Sequence, residues 1–345
     1  MLNDLVCSLP GYVCLGVCSA LFLPWDSSAQ QSLDSDNVAI VDYEAIQRQK
    51  MYEITRAKGP IRLDGVIDEP AWVGIQAENE YFQLEPVRGV PADEYTEFRM
   101  VYDDENIYIA TINLQNGPII TSSLQRDFNP PADGDVIAFM FDTFDNDRDA
   151  FFFQTNPGGA KRDQQTSGGV RSTEWDGVYD VAVQVDDAGW YAEFAIPFKT
   201  LRFDESHPQQ QWGFNAIRIA RYTNEWMMWS PGQRPFNIFN VFVGGKLLGL
   251  EGLQQGRNLK VKPFIASNYN PDTEDEFEPN IGLDAKYGVT SSLTLDMTVN
   301  TDFSQVDADT QQVNLTRFSL FFPEQREFFL ENQGLFDVGG GGGGG

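Results

Sequence analysis

Along much of its length the chain alternates apolar and polar positions in segments of strand length, separated by turns. Glu94–Asp104 alternates with the period of two that is typical of a half-buried strand. Asn106–Leu114 is predicted to be another strand, after the polar turn Asp103–Glu105. Val136–Phe141 is a continuous apolar run, as expected for a central strand that is buried on both faces. Helical periodicity is confined to single turns at Glu69–Ile75 and Phe198–Leu201. Many short strands with regular turns predict an all-β fold.

Four further segments extend the strand pattern. Ala150–Thr155 is rich in Phe, and Trp212–Tyr222 has the length and apolar content of a strand. Val181–Val185 and Trp190–Ile196 flank a polar four-residue turn, which predicts a β-hairpin. We therefore predict a β-sandwich over residues 51–255.

The pattern changes after the predicted sandwich. Lys260–Tyr269, Ile281–Tyr287 and Leu293–Val299 each have one apolar and one polar face. This alternation suits the first strands of an outer-membrane β-barrel, and it suits equally an amphipathic hairpin packed on the sandwich. The pattern alone leaves both interpretations of residues 256–338 open. The glycine tract 339–345 has no side chains to bury and is predicted to be a flexible tail.

The first 29 residues have the layout of a secretory signal peptide. The apolar stretch Leu5–Leu23 leads to the small residues Ser27–Ala29, which fit a cleavage site. The segment departs from the usual pattern because Asp4 precedes the apolar stretch and no Lys or Arg does, and a buried helix is the alternative. All three cysteines lie in this segment: Cys7, Cys14 and Cys18. Cleavage would leave a thiol-free secreted chain, beginning with residues 30–50, which are polar and are predicted to be a linker.

Composition narrows the classes of function. Lys and Arg number 24 against 51 Asp and Glu, which gives a formal net charge of −27. Such a chain repels the phosphate backbone, so nucleic acid is excluded as a partner. The 26 Phe within a hydrophobic content of 41% are sufficient for a packed core. His207 is the single histidine, which leaves little for a catalytic triad or a multi-histidine metal site.

The segment Ile61–Trp72 reads IRLDGVIDEPAW. It resembles the opening of family 9 carbohydrate-binding modules, which are extracellular β-sandwiches that bind sugars. The resemblance implies the same fold as the strand pattern, and an oligo- or polysaccharide as the partner. Trp72, Trp226 and Trp229 are predicted to pack in the core.

A second segment, residues 299–331, reads VNTDFSQVDADTQQVNLTRFSLFFPEQREFFLE. It is similar to a family of bacterial surface proteins, named as a domain of unknown function, that join a family-9-like sandwich to a C-terminal outer-membrane β-barrel. The resemblance covers residues 52–338 and implies secretion to the periplasm, outer membrane or cell surface, with attachment through the barrel. This sequence stops where the family continues through most of the barrel. We therefore expect only the first barrel strands here, too few to close a pore.

Sugar-binding modules place aromatic faces against the pyranose ring and planar polar groups against its hydroxyls. Trp175 is the candidate aromatic platform because it lies in the polar segment Arg171–Gly177; the alternative is a loop Trp folded over the sandwich edge. The resemblance implies that Arg126 and Asn156 bind sugar hydroxyls. Asp135 directly precedes a predicted strand, where loop residues can converge on one site. The alternative for all three is a solvated loop residue.

Asp142, Asp145 and Asp147 are closely spaced. Carboxylates alternating along a loop are hard oxygen ligands that suit Ca²⁺, and the resembled modules bind structural calcium. The segment departs from an EF-hand loop because Ala150 and Asn156 replace its Gly and its final Glu. The alternative is a solvated acidic turn.

These features favour non-catalytic carbohydrate binding by a secreted module, linked to polysaccharide capture or breakdown. Two alternatives stay open: a structural appendage of an outer-membrane barrel without sugar binding, and a part of a glycoside hydrolase system. Glycoside hydrolysis uses a pair of carboxylates. Because the chain has 51 acidic residues, such a pair is always available and does not predict an enzyme.

Overall fold

The computed structural model describes residues 41–130, 132–168, 170–173, 175–254, 259–269, 277–290 and 293–300. The predicted signal peptide, most of the predicted linker, nearly all of the second family segment and the glycine tail lie outside the described residues.

The described part of the predicted linker contains helix α1 (Tyr43–Gln49). The Asp42 side chain caps it by accepting a hydrogen bond from the Ala45 backbone N–H at 2.9 Å. Glu44 and Arg48, one turn apart, form an ion pair at 3.5 Å. The described part of the predicted linker is therefore helical, because local capping and pairing stabilise a helix that has no buried residue.

The larger sheet has nine strands. In chain order these are β1 (Met51–Glu53), β3 (Phe82–Glu85), β6 (Val136–Asp142), β7 (Ala150–Thr155), β8 (Lys161–Ser167), β9 (Val170–Ser172), β12 (Gln209–Ala220), β13 (Glu225–Met228) and β14 (Gly245–Glu251). Their spatial order is β1-β14-β12-β6-β7-β8-β9, and β13 pairs with both β12 and β3. The predicted strands at β6, β7 and β12 therefore occupy the centre of this sheet.

The smaller sheet has five strands. They are β2 (Thr55–Arg56), β4 (Thr96–Tyr102), β5 (Asn106–Leu114), β10 (Asp180–Val185) and β11 (Gly189–Pro197). Their order is β10-β11-β5-β4-β2, and β10 and β11 form the predicted hairpin. The two predicted helical turns are 3₁₀ turns at Pro70–Trp72 and Phe198–Thr200.

An aromatic core lies between the two sheets, built from the inward side chains of both. Phe139 of β6 meets Phe194 of β11 edge to face, with ring centroids 5.3 Å apart. Phe98 and Phe214 are fully buried in the same cluster. Each such ring contributes roughly 1.5–3 kcal/mol by leaving water. The predicted all-β sandwich is confirmed.

The outer face of the larger sheet is also covered, by two connecting segments. Phe128 packs on Val136 and Ile219, and the segment 236–243 packs on Met140 and Phe152. All seven residues of β6 are buried. The prediction that this strand is buried on both faces is therefore confirmed.

A third sheet is an antiparallel meander of β15 (Leu259–Tyr269), β16 (Phe277–Thr290) and β17 (Leu293–Val299). Its pairing puts the apolar positions of all three strands on one face. Several of these side chains are exposed, among them Ile265 at 78% and Ile281 at 67%. The predicted amphipathic strands are thus present, and they form an open sheet.

Within the described residues, no helix has both the length and the apolar content that crossing a membrane requires.

Candidate functional site

The segment Ile61–Trp72, which resembles family 9 modules, is anchored to β11 through the side chain of Glu193. Trp72 is 2% exposed, and its Nε1–H donates to Oε1 of Glu193 at 3.1 Å. The other carboxylate oxygen of Glu193 accepts from the backbone N–H of Asp64 at 3.1 Å and of Gly65 at 2.9 Å. Gly65 has φ +81°, and a Cβ there would lie 2.8 Å from the Val183 carbonyl carbon. The predicted core position of Trp72 is correct, and the motif ties its loop to β11.

Burial raises the pKa of Glu193, although the two backbone hydrogen bonds oppose that shift. Asp64 and Glu69 each bring a carboxylate oxygen within 4.8 Å of it. Both carboxylate oxygens of Glu193 already accept hydrogen bonds, from two backbone N–H groups and the Trp72 indole. The carboxylate therefore anchors this segment to β11.

The structure places Trp175 inside the sandwich. Its side chain is 6% exposed, and its ring centroid lies 5.1 Å from that of Phe151 and 5.8 Å from that of Phe153. Gly177 lies against the ring edge, since a Cβ there would be 2.6 Å from it. A ring packed in this way offers no open face to a sugar. The structure therefore supports the alternative interpretation, a loop Trp folded onto the core.

Asn156 and Asp135 are also fully buried. The Asn156 amide donates to the Ser123 carbonyl at 2.7 Å and accepts from the N–H groups of Gly158 and Ala160. Asp135 accepts from the backbone N–H groups of Ile120 and Arg221. Asp135 also accepts from the side-chain amide of Gln115 at 3.2 Å. Buried polar groups that are paired in this way act as loop anchors. Neither residue is available to a sugar hydroxyl in this conformation, so the prediction is corrected for both.

Arg126 lies among carboxylates. Its Nη2 is 2.6 Å from a carboxylate oxygen of Asp163 and also contacts Asp176. Its Nε is 3.7 Å from Asp127. Burial acts to lower the pKa of Arg126, but the three carboxylates together raise it. We call Arg126, Asp163 and Asp176 the Arg126 cluster.

Asp163 is the buried member of this cluster, with a side chain that is 0% exposed. Burial raises its pKa to about 7, against the opposing effects of the Gly177 N–H and the Arg126 guanidinium. Its position on β8 is opposite Phe153 on β7, so it faces the core. The cluster fastens the loop that carries Trp175 to the edge of the larger sheet.

Asp142, Asp145 and Asp147 are brought together as predicted, with carboxylate oxygens within 4.8 Å of one another. Asp142 already accepts from the backbone N–H groups of Phe144 and Asp147. Asp145 forms an ion pair with Lys246. The ammonium group of Lys246 thus supplies positive charge where a cation would sit. These partners suit an acidic turn closed by a lysine better than a calcium loop, and calcium binding stays a prediction.

A different set of polar side chains lies on the outer face of the larger sheet. In the ladder, Ala138 pairs with Gln154 and Gln154 pairs with Arg162. Because Phe151 and Phe153 point into the core, Gln154 and its partner Arg162 point outward. Gln164 and Arg171 lie on the same face, opposite Phe152 and Thr166 respectively. The outer-face strip is the set Gln154, Arg162, Gln164 and Arg171.

Two members of the strip are held in place. The Arg162 Nη1–H donates to the Phe128 carbonyl. With the Gln164 amide oxygen turned towards Arg162, it accepts from Nε at 3.0 Å and from Nη2 at 2.7 Å. Burial lowers the pKa of Arg162. The carboxylate of Asp127 opposes this shift, and the positive charge of Arg171 adds to it by a smaller amount.

Gln154 differs from the other buried amides. It is 4% exposed, and no described residue gives its side-chain amide a hydrogen-bond partner. Its amide nitrogen and oxygen are not closed off from solvent, although most of the residue is buried. The amide therefore has unused donors and an acceptor beside Arg162.

Arg171 supplies the exposed end of the strip. Its guanidinium carbon lies 4.5 Å above the centroid of the Phe239 ring, and that ring packs on Phe152 at 5.2 Å. The strip thus combines two guanidinium groups, two amides and an aromatic ring on one surface, a set of groups that can recognise hydroxyls and ring faces.

The residue pattern of the sequence did not predict the outer-face strip. Its one usable signal is Gln154, a polar residue in the Phe-rich segment Ala150–Thr155. Arg162 and Gln164 follow in Lys161–Ser167, a polar segment whose strand state the apolar pattern does not show.

Comparisons with known proteins bear on two parts of the chain. A family model described as a domain of unknown function (DUF5916) matches residues 257–340. The predicted resemblance is confirmed for these residues, which include β15, β16 and β17. No curated protein matches the chain significantly.

Among solved structures, the chain is similar to one from Bacteroides uniformis whose description assigns it to carbohydrate binding. The identity is 14% and the TM-score 0.46, over 58% of this chain and 98% of that one. It is also similar to a family 9 carbohydrate-binding module from Caldicellulosiruptor kristjanssonii. The complex with glucose matches at 14% identity and TM-score 0.43, over 60% of this chain and 98% of that one. The complex with cellotriose matches at 13% and 0.42, over 58% and 93%.

Proposed function

We propose that the β-sandwich binds carbohydrate without catalysing a reaction. The observation that carries the proposal is the outer-face strip, where the buried Gln154 amide has no described partner next to the fixed Arg162 and Gln164. Planar amide and guanidinium groups form paired hydrogen bonds with vicinal hydroxyls. The resemblance of residues 61–72 to family 9 modules supports the same function.

The ligand is an oligo- or polysaccharide in this proposal, and binding is located on the outer face instead of at Trp175. In this proposal a sugar hydroxyl replaces water at the Gln154 amide, whose polar atoms reach solvent in the free protein. The Arg126 cluster would then be the structural support of the sheet edge that carries β8.

Calorimetric titration of the full chain with glucose, cellotriose and a panel of longer oligosaccharides tests this proposal. We expect one saccharide class to bind, and Gln154→Leu to weaken its binding about tenfold, the loss of roughly one hydrogen bond to a charged or buried group. Gln211→Leu, an exposed glutamine on β12, is the matched control. If no saccharide binds the folded chain, the proposal is wrong.

We also propose that the third sheet contacts the acyl chains of a bacterial outer membrane, and that the chain is secreted to the periplasm or cell surface. The exposed apolar row on one face supports this: Val261, Ile265, Ile281, Met297 and Val299 are each more than half exposed. Lys262, Asp284 and Thr298 line the opposite face. A soluble sheet seldom presents so continuous an apolar face to water.

Flotation with phospholipid vesicles tests the second proposal. We expect the chain to float with vesicles, Ile265→Lys to reduce the floating fraction at least fivefold, and Thr298→Lys on the opposite face to leave it unchanged. Equal flotation of both variants would contradict the proposal.

A further inference from the structure

The turn that follows β5 contains the single Asn–Gly pair of the sequence. Asn116 precedes Gly117, and no other Asn precedes a Gly. Both residues are exposed. An Asn before Gly can cyclise, because glycine has no Cβ to hinder its backbone nitrogen from approaching the side-chain amide carbon of the Asn. Whether the reaction proceeds in the folded chain depends on the hydrogen bonds of the two reacting groups.

The Asp–Gly pairs of the chain form the same ring from a carboxyl group, and in two of them the fold restrains the glycine nitrogen. In Asp64–Gly65 the glycine N–H donates to a carboxylate oxygen of Glu193 at 2.9 Å. In Asp176–Gly177 it donates to Asp163. A nitrogen held in this way keeps its proton and points away from the preceding side chain. These two pairs therefore serve as internal references for an unreactive arrangement.

The Asn116 pair lacks such a restraint. Within the described residues, neither the Gly117 N–H nor the Asn116 side-chain amide forms a hydrogen bond. The backbone N–H of Asn116 donates to Glu94 at 3.0 Å, which fixes the main chain and leaves the side chain free. A Cβ at Gly117 would collide with the ring of Tyr222, so the fold requires glycine at the position that makes the pair reactive.

We propose that Asn116 is a site of spontaneous covalent modification. The backbone nitrogen of Gly117 attacks Cγ of Asn116 and forms a new C–N bond. The bond from Cγ to Nδ2 breaks, and Nδ2 leaves as ammonia with the proton of the Gly117 N–H. Water then opens the resulting succinimide at either carbonyl and gives aspartate or isoaspartate. The reaction consumes only water, and it is independent of carbohydrate binding.

The isoaspartate product alters a turn that supports the buried Arg218. The Gln115 side-chain N–H donates to the Pro118 carbonyl at 2.8 Å, and its amide oxygen accepts from Arg218 at 3.0 Å. Isoaspartate inserts a methylene group into the main chain between Gln115 and Pro118 and so displaces one from the other. Both products also place a carboxylate beside Glu94, which is 4% exposed, and like charges repel. We therefore expect the modified chain to be less stable.

Peptide mapping by mass spectrometry tests the modification. The full chain is incubated at pH 6 and at pH 8.5 and then digested. We expect at least ten times more isoaspartate at Asn116 than at Asp64 or Asp176, and faster conversion at pH 8.5, because the deprotonated nitrogen is the nucleophile. A level at Asn116 no higher than at these two aspartates would overturn the proposal.

Two variants provide the controls. Asn116→Gln keeps an amide but has to close a six-membered ring, so we expect no conversion. Asn79→Gln changes another exposed Asn, which precedes Glu80, and should leave conversion at Asn116 unchanged.

Thermal denaturation before and after incubation at pH 8.5 tests the effect on the fold. The Tm of the wild type should fall, and that of Asn116→Gln should not. Asn116→Asp adds the charge without the extra methylene group, and its Tm should fall less than that of the incubated wild type. If incubation shifts the Tm of wild type and Asn116→Gln equally, the expected effect on the turn is wrong.

Discussion

The Arg126 cluster and the outer-face strip both include residues of β8, and these residues point to opposite sides of the larger sheet. Asp163 faces the core and contacts Arg126 at 2.6 Å. Arg162, one position earlier, faces outward, and its described partners are a carbonyl and an amide. Asp163 therefore has an ion pair on the inner side, whereas Arg162 on the outer side has uncharged hydrogen-bond partners and the carboxylates of Asp127 and Asp133 only as nearby charges. The comparison teaches that neighbouring positions of one strand can have quite different partners, because the two sides of a sheet face different parts of the fold.

The largest expected effect tests the structural side of this comparison. Trp175→Ala removes a ring packed between Phe151 and Phe153 and should lower the free energy of unfolding by about 3–5 kcal/mol. Urea denaturation measures it, with exposed Tyr222→Ala as the control. Saccharide affinity of the fraction that stays folded should not change. If Trp175→Ala is stable but no longer binds any saccharide, Trp175 belongs to the binding site.

The second effect concerns pH at Asp163. Its folded pKa is about 7, above the ordinary 3.8, so the unfolded chain releases this proton first as the pH rises. The stability that protonated Asp163 retains is therefore lost as the pH rises from about 4 to 7, and on the order of 2 kcal/mol of this loss falls between pH 5.5 and pH 7.

Urea denaturation at pH 5.5 and pH 8 compares the wild type with Asp163→Asn. The wild type should gain stability at pH 5.5 relative to this variant, and exposed Asp187→Asn should behave like the wild type. The same pH dependence in Asp163→Asn and wild type would show that the carboxylate is not desolvated as described.

The third effect distinguishes two amides. Gln154→Leu removes an amide that has no described hydrogen-bond partner and whose polar atoms reach solvent, so the free energy of unfolding should change by less than about 1 kcal/mol. Thermal denaturation measures this change, while calorimetry should show weaker saccharide binding. For Asn156→Leu, whose amide is fully hydrogen-bonded, we expect a loss of stability instead. If Gln154→Leu loses as much stability as Asn156→Leu, the two amides do not differ in their contribution to the fold.

The smallest expected effect is on the stability of Arg171→Gln. An exposed cation–π contact contributes about 0.5–1 kcal/mol, and relief of repulsion with Arg162 offsets part of that loss. The midpoint of urea denaturation should therefore shift by less than the equivalent of about 0.5 kcal/mol. A loss above 2 kcal/mol would mean that Arg171 is a structural residue, as Arg126 is.

The apolar pattern of the sequence predicted much of the fold. β5, β7 and β17 begin and end at the predicted residues, because a strand with a buried face records its period of two in the residue types. The third sheet has the predicted alternation for the same reason. The core position of Trp72 also followed from its motif.

The candidate site depended on tertiary structure. Trp175 lies in a polar segment, and only the chain fold brings Phe151 and Phe153 against it. β8 reads KRDQQTS and has no apolar period, so its strand state comes from hydrogen bonding to β7 and β9. That pairing directs Asp163 inward and Arg162 outward. Residue types along the chain determined which segments would be buried, whereas the partners of each charge were decided by strands distant in sequence, because electrostatic compensation depends on distance in space.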